Sequence, residues 1–189
     1  MDDILKIIDQ ISKNQMVGVA DCKKLLYYGF YDCVTGLKNR HSLNLKLKEI
    51  DNKRPSNSVI IIYADINALK FTNDHISHDA GDDLIRRCAF LLVSHFGKDR
   101  CYRISGDEFV VLLDDDVTSD TLDNFLSLKR LVNKKDIPPM AIGVSAITPT
   151  EQTKGYITAK DVEYVLSLAE KHMYEDKQSF YRRFPEFKR

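Results

Sequence analysis

The stretch Ser105-Gly106-Asp107-Glu108-Phe109 separates two runs of apolar and β-branched residues, Cys101–Ile104 and Phe109–Leu113. A tight glycine-containing turn between two such runs is typical of a β-hairpin. The adjacent carboxylates Asp107 and Glu108 are poorly suited to a hydrophobic core, whereas the tip of a hairpin can present them to a metal ion. The stretch therefore predicts a hairpin that carries acidic ligands.

A third carboxylate, Asp65, follows another apolar run, Val59–Ala64. If this strand neighbours the hairpin, Asp65 lies beside Asp107 and Glu108. Carboxylate oxygens are the ligands that Mg²⁺ and Mn²⁺ prefer, so the three residues together predict a site for either cation. Taken alone, the acidic turn is equally compatible with a solvated hairpin that binds no metal.

The hairpin resembles the GGDEF signature of the diguanylate cyclases, and four further segments resemble motifs of that family in the same order. They are Asp32–Arg40, similar to D-x-L-T-G-L-x-N-R; Asp65–Asp82, similar to D-I-D-x-F-K-x-I-N-D-x-x-G-H-x-x-G-D; Ala141–Ser145, similar to S-I-G-V-A; and Ala169–Lys177, similar to A-D-x-A-M-Y-x-A-K. A single short motif would be weak evidence. Five motifs in order, spread over roughly residues 25 to 180, make the resemblance specific.

The resemblance implies an α+β fold with a ferredoxin-like palm, in which a mostly antiparallel sheet is flanked by helices. The chain's own hydrophobic pattern agrees with this fold. It predicts strands at 59–64, 100–105, 109–114 and 140–147, and helices near 40–50, 81–96, 118–132 and 159–179.

An N-terminal helical extension, residues 1–24, is expected to precede the cyclase-like domain, residues 25–189. Apolar residues at helical spacing from Ile4 to Ile11 predict a short amphipathic helix that ends at Asn14 or Gly18. This helix could pack against the domain or form a coil between subunits. Asp21 is the expected N-cap of a second helix that runs to about Tyr28.

Composition limits the classes of function. A chain of 189 residues with 43% hydrophobic content is enough for one domain with a real core. Its 28 basic and 28 acidic residues cancel, so no electrostatic footprint for duplex nucleic acid is present. Four cysteines without C-x-x-C spacing predict reduced thiols. The acidic start Met1–Lys6 predicts no signal peptide or membrane insertion, hence a cytoplasmic protein.

The resemblance also implies the reaction, which is condensation of two GTP into cyclic di-GMP with release of two pyrophosphates. Each protomer of a homodimer, which can be transient, would hold one GTP. The implied cofactor is Mg²⁺ (or Mn²⁺), bound by the Asp65 carboxylate, the Ile66 carbonyl and Asp107. Glu108 would add charge to the metal site or assist proton removal. Asp107, Glu108 and Asp65 are therefore the expected catalytic residues.

Substrate contacts follow from the same resemblance. Backbone N–H groups of the loop at 67–70 would bind phosphates, with charge from Lys70 and Lys177. Asn73 and Asp82 would read the base, because a carboxylate accepts hydrogen bonds from both N1–H and the exocyclic amine of guanine, whereas N1 of adenine is an acceptor. Asp82 could instead cap the helix after Gly81. The remaining expected contacts are Ala68, Leu69, His78, Ser105 and Gly106.

The chain departs from the family pattern at several positions. Ser105 replaces the first signature glycine, Asn67 the second aspartate of D-I-D, Ser77 the glycine before His78, and Tyr181 the arginine of a terminal G-R-N. Phe96-Gly97-Lys98-Asp99 stands where many relatives have the R-x-x-D of an inhibitory product site. These changes leave open a degenerate module that binds GTP or cyclic di-GMP and signals through a partner. A palm cyclase with another nucleotide preference is disfavoured by Asp82.

Overall fold

The computed structural model describes residues 2–13, 16–51, 58–114, 119–132, 134, 138–150 and 155–187. Two N-terminal helices, α1 (Asp2–Ser12) and α2 (Val19–Phe30), come first. The following elements are β1 (Lys38–Asn39), α3 (Arg40–Asp51), β2 (Val59–Ile66), α4 (Leu69–His75), α5 (His78–Phe96), β3 (Cys101–Arg103), β4 (Glu108–Leu113), α6 (Ser119–Leu131), β5 (Met140–Ile147) and α7 (Ala159–Arg183). Single 3₁₀ turns lie at Lys98–Arg100 and Pro185–Phe187.

The five strands form one sheet in the order β1-β3-β4-β2-β5. Only β1 and β3 pair in parallel, and the other pairs are antiparallel. The predicted α+β fold with a mostly antiparallel sheet and flanking helices is therefore confirmed. Strand β2 lies between β4 and β5, and all its residues except Ile60 are buried. This burial explains its nearly continuous apolar sequence.

Helices cover both faces of the sheet. One core contains inward side chains of α5 and α6, such as Leu92 and Leu128, and the other contains those of α3 and α7, such as Leu43 and Val165. Helix α7 approaches β5 closely at Gly143, where a Cβ would lie 2.1 Å from the carbonyl oxygen of Ala169. Glycine is required at this position, and the close approach places the C-terminal half of α7 against the end of β2.

Two predicted helix starts are wrong. Helix α5 begins at His78, because the Ser77 side chain accepts a hydrogen bond from the Ala80 N–H at 3.1 Å and caps it. Asp82 therefore lies inside the helix and is not its cap. Helix α2 begins at Val19 with Gly18 at its N-cap, so Asp21 belongs to the first turn. Helix α4 and the short strand β1 were not predicted.

The N-terminal extension contains the predicted amphipathic helix, in which Ile7 is buried and Ile8 and Ile11 are half exposed. Asn14, one of its two predicted ends, lies outside the described residues. The proposed domain boundary at residue 24 falls within α2 and stays a prediction. No two of the four cysteines are bonded in the structure; Cys88 and Cys101 are buried, and Cys22 and Cys33 are exposed. In the described ranges, no helix is long and apolar enough to cross a membrane.

Candidate active site

The acidic site lies where β2 and β4 meet. Asp65 is the register partner of Glu108 across the antiparallel pair. One residue further on, the Ile66 N–H donates a 2.9 Å hydrogen bond to the carbonyl oxygen of Asp107. The structure therefore brings the backbones of Asp65, Asp107 and Glu108 to one end of the sheet, and holds the signature turn against the end of β2 through backbone contacts.

Asp65 is the buried member of this group, with only 5% of its surface exposed. Its Oδ1 accepts a hydrogen bond from Lys177 Nζ at 2.6 Å. Burial raises the pKa of Asp65 to about 6; Lys177 opposes this rise, and the negative charges of Asp107 and Glu108 add to it. Burial tends to lower the pKa of Lys177, but its hydrogen bond and attraction to Asp65 prevail and the net shift is upward. The Lys177 ammonium thus offsets the charge of Asp65, which it contacts, and is also attracted by Asp107.

Ser105, which replaces a glycine of the family signature, contacts Glu108. Its hydroxyl donates a 2.6 Å hydrogen bond to Glu108 Oε2. The guanidinium of Arg40 lies 3.9 Å from the same oxygen, and its Nε donates to the Ile104 carbonyl. Ser105 has no positive φ, because Ala68 is the only non-glycine residue with one in the described part of the chain. The serine therefore introduces a donor to Glu108 without backbone strain.

Arg103 links the signature turn to Asp32. One guanidinium nitrogen contacts both carboxylate oxygens of Asp32, at 2.9 and 3.0 Å, and the other donates to the Gly106 carbonyl at 2.8 Å. Asp32 also accepts from the backbone and hydroxyl of Thr35. Burial tends to raise the pKa of Asp32, but the hydrogen bonds from Thr35 and Arg103 leave it lowered. The D-C-V-T-G-L motif thus supports the signature turn, a role that the sequence analysis missed.

The loop after Asp65 has an unusual backbone and an unmatched polar atom. Ala68 adopts φ 60°, in the left-handed region that non-glycine residues rarely enter. Its N–H donates to the Tyr181 hydroxyl at 3.2 Å. Asn67 is buried, and its Oδ1 has no hydrogen-bond partner. Leu69 is half-buried and Lys70 is exposed.

The residues expected to read the base lie on α4 and α5. The Asn73 side chain packs against Gly81, where a Cβ would lie 1.8 Å from Asn73 Oδ1. Gly81 thus permits this contact, which places the Asn73 amide beside the residue that precedes Asp82. Asp82 is half-buried and lies 3.7 Å from Arg86 one turn later. His78 is exposed at the first position of α5.

The oxygen atoms of the acidic site are of the type that binds a hard divalent cation, since Mg²⁺ and Mn²⁺ prefer carboxylate and amide oxygens. Asn67, two residues after Asp65 in the chain, has a buried Oδ1 without a hydrogen-bond partner, and an orphaned buried acceptor of this kind can mark a bound water or ion. Within the described ranges, no three His, Cys, Asp or Glu side chains converge closely enough to hold a metal as they stand. Lys177 takes one Asp65 oxygen in this arrangement, so a metal bound there would have to share or displace it.

The cavities around the site are shallow. One of about 360 Å³ lies beside the signature turn and is lined by Asp32, Asn39, Arg40, His41, Arg103, Ile104, Ser105 and Gly106. A larger cavity of about 1060 Å³ lies elsewhere, between α2, α3 and the turn at Lys98–Arg100, and contains none of the predicted site residues. Of the residues that the sequence analysis selected, Ser105 and Gly106 line the smaller cavity.

Comparison with known proteins identifies the family of the chain. The sequence profile of the family described as "Diguanylate cyclase, GGDEF domain" matches residues 29–183. The chain is 30% identical over 112 residues to the diguanylate cyclase DgcS of Shewanella oneidensis, an alignment that covers 58% of this chain and 38% of that protein. It is 34% identical over 82 residues to the cyclic di-GMP phosphodiesterase PdeR of Escherichia coli, covering 43% of this chain and 12% of that protein.

The fold also matches a solved structure, the GGDEF domain of FimX from Pseudomonas aeruginosa, with a TM-score of 0.64 and 18% identity over 79% of this chain and 94% of that one. At this identity the likeness concerns the fold. The chain spans less than half the length of the two curated relatives. Because the family profile covers most of the chain, including every motif that forms the acidic site, the protein belongs to the GGDEF family of diguanylate cyclase domains.

Proposed function

We propose that this domain is a diguanylate cyclase that condenses two GTP into cyclic di-GMP and releases two pyrophosphates. The observation that carries the proposal is the pairing of Asp65 with Glu108 across β2 and β4, with Lys177 reaching the same carboxylate from α7. Acidic oxygens and a lysine at one strand end are the groups that phosphoryl transfer from a nucleoside triphosphate requires.

The reaction joins the 3′ oxygen of one GTP to the α-phosphorus of the other and breaks the bond from that phosphorus to the bridging β-phosphate oxygen. Pyrophosphate leaves, and the hydroxyl proton goes to a base. Glu108, held by Ser105 and close to Arg40, is the proposed acceptor of that proton. The same step in the opposite direction across the dimer closes the ring.

Asp65, the Ile66 carbonyl and Asp107 are the proposed ligands of Mg²⁺ or Mn²⁺, with Glu108 adding charge. A bound divalent cation supplies positive charge to the phosphate oxygens and to the leaving pyrophosphate. Lys177 would then exchange Asp65 for a substrate phosphate, because an ammonium and a metal ion compete for the same carboxylate oxygen.

The proposed substrate contacts divide by the part of GTP that they bind. Lys70, Lys177 and the N–H groups of Ala68 and Leu69 bind phosphate. Asn73 and Asp82 bind guanine, since a carboxylate that the bound base desolvates and that faces the acceptor N1 of adenine would lack a donor, at a cost of about 1 to 3 kcal/mol or more. His78, Ser105 and Gly106 complete the contact surface.

The proposed reaction calls for a symmetric homodimer, since each protomer would present one GTP to the other. At protomer concentrations below the dimer dissociation constant, the initial rate should rise with roughly the square of enzyme concentration. Excess Asp107→Asn protomer should suppress the parent, because mixed dimers hold one defective half. A strictly linear rate from an active species that light scattering sizes as a monomer would contradict the dimer.

The function is tested by incubating purified protein with GTP and Mn²⁺ and chromatographing the products. The proposal predicts cyclic di-GMP and pyrophosphate in a ratio of one to two. Pyrophosphate with a different nucleotide product would indicate a cyclase of another preference, and unchanged GTP would exclude turnover.

A second candidate is a binding module that holds GTP or cyclic di-GMP without turnover and signals through a partner. The contacts of Tyr181 with Ala68 and of Ser105 with Glu108 favour it, because side chains that differ from the family pattern engage groups that the reaction needs. The match to a protein named as a phosphodiesterase is consistent with this candidate. Saturable binding of either nucleotide together with unchanged GTP would identify it.

A further inference from the structure

Tyr181 reaches across the fold to the loop that follows Asp65. Its hydroxyl oxygen accepts a 3.2 Å hydrogen bond from the Ala68 N–H, 113 residues earlier in the chain. Tyr181 lies near the C-terminal end of α7, where the side chain is half-buried. The neutral Tyr181 hydroxyl thus accepts the hydrogen bond of the Ala68 N–H, which the proposed function assigns to a substrate phosphate.

Aromatic packing holds this tyrosine in place. The aromatic cluster consists of Phe71, His75, Phe180, Tyr181, Phe184 and Phe187. Phe180 contacts Tyr181 edge to face with ring centroids 5.3 Å apart, and it also packs on Phe184 at 5.0 Å. Phe187 then meets Phe71 of α4 edge to face at 5.0 Å. The segment after α7 therefore ties the end of that helix to the helix that follows the Ala68 loop.

The Ala68 N–H cannot easily turn away from Tyr181. Ala68 has φ 60°, and the next residue begins α4, so the direction of its N–H is set by the backbone. The Asn67 N–H before it is bound to the Pro139 carbonyl oxygen at 2.9 Å. A ligand that needs the Ala68 donor must therefore take it from the hydroxyl.

Helix α7 contacts two groups of the proposed site, one through Lys177 and one through Tyr181. Lys177 lies one turn before Tyr181, and side chains four residues apart on a helix share one face. Lys177 binds Asp65 Oδ1, and Tyr181 binds the Ala68 N–H. One helical face thus engages both a proposed metal ligand and a proposed phosphate donor, only three residues apart in the chain.

We propose that Tyr181 sets the affinity of the substrate site by competing with a substrate phosphate for the Ala68 N–H. This inference rests on the proposed function. A phosphate oxygen is charged and forms the stronger hydrogen bond, so it replaces the hydroxyl when substrate binds. The lost contact with Tyr181 subtracts from the net binding free energy, and the chain therefore binds triphosphates more weakly than its donors alone would allow.

The test compares Tyr181→Phe with the parent. Phenylalanine keeps the ring in the aromatic cluster and removes only the oxygen that occupies the N–H. A neutral hydrogen bond of ordinary net strength corresponds to a change of roughly two- to tenfold in affinity. The dissociation constants of GTP and of inorganic tripolyphosphate, measured by calorimetry with Mg²⁺, should both fall by such a factor. Tripolyphosphate cannot be condensed, so its constant reports binding alone.

The matched control is Tyr174→Phe, which removes a hydroxyl from an exposed position of the same helix. It should leave both constants unchanged. Tyr181→Phe constants equal to or larger than those of the parent would overturn the proposal, and larger ones would mean that the hydroxyl donates to the phosphate. Absence of GTP and tripolyphosphate binding by every variant would overturn the proposed function as well. Tighter binding without cyclic di-GMP formation would uphold the competition and reject only the turnover.

Discussion

Lys177 Nζ and Asp65 Oδ1 lie 2.6 Å apart, although 112 residues separate them in the chain. The pair joins the C-terminal part of α7 to the end of the central strand, and only 6% of the Asp65 side chain and 25% of the Lys177 side chain are exposed. Lys177 is therefore the counter-ion of Asp65 and is also attracted by Asp107, whereas Glu108 has the Arg40 guanidinium 3.9 Å away.

Replacing Lys177 with Met should lower the free energy of unfolding by roughly 1 to 3 kcal/mol, because a buried carboxylate loses its partner. Urea unfolding measures the change. Lys171→Met, at an exposed position of the same helix, is the control and should be neutral. If the destabilisation of the double variant with Asp65→Asn equals the sum of the destabilisations of the two single variants, the two residues are not coupled.

The raised pKa of Asp65, about 6, predicts a pH dependence of metal binding. Below that value the carboxyl is protonated and must release its proton to bind a cation, so Mn²⁺ affinity should fall roughly tenfold per pH unit as the pH drops below 6. Above about pH 7 the affinity should be constant. Electron paramagnetic resonance of free Mn²⁺ measures it. A pH-independent affinity between pH 5 and 7, or the same step in Asp65→Asn, would contradict the assignment.

The raised pKa of Asp65 also predicts how the free energy of unfolding of the metal-free protein changes with pH. The pKa of Asp65 in the folded protein exceeds its usual value of 3.8, so the folded state binds the proton more tightly than the unfolded state does. The stability that this residue contributes is complete below about pH 4 and is lost as the pH rises through 6.

Replacing Arg103 with Lys should destabilise the signature turn by about 1 to 3 kcal/mol, because an ammonium cannot contact both Asp32 oxygens and the Gly106 carbonyl at once. Thermal unfolding measures the loss. Arg182→Lys, an exposed position on α7, serves as the control. Equal unfolding temperatures for the two variants would show that the contacts of Arg103 with Asp32 and the Gly106 carbonyl contribute nothing to stability.

Replacing Asp82 with Ser should reduce discrimination between GTP and ATP by roughly tenfold or more, since a hydroxyl can serve either purine. The ratio of kcat/KM for the two nucleotides, measured in competition, reports it. Asp83→Ser changes the exposed neighbour on α5 and should keep the parent ratio. An unchanged ratio in Asp82→Ser would mean that Asp82 does not read the base.

Local sequence was sufficient to predict the two strands that position the acidic residues. The apolar run before Asp65 predicts a central strand because helices on both faces bury it, and the hairpin predicts the neighbouring strand. Together they place Asp65 beside Glu108, as the structure shows. Helix α4 could not be predicted in this way, because none of its residues is fully buried and its polar sequence carries little periodic signal.

Contacts between distant segments were beyond sequence patterns. No motif indicates which side chain Arg103 contacts, and only the fold shows that Asp32, 71 residues earlier, is its partner. The contact of Tyr181 with Ala68 depends likewise on how α7 packs on β5 at Gly143. The substitution of arginine by tyrosine was visible in the sequence, but the atom that the tyrosine contacts was not.

The central claim is that the carboxylates at the ends of β2 and β4 hold the cation that supports GTP condensation, and Asp107→Asn tests it most directly. Asparagine keeps the size of the side chain and removes its charge. Cyclic di-GMP formation from GTP and Mn²⁺, followed by chromatography, should be abolished while the circular dichroism spectrum stays that of the parent. Product formation at the parent rate by a variant with an unchanged spectrum would contradict the assignment of the site.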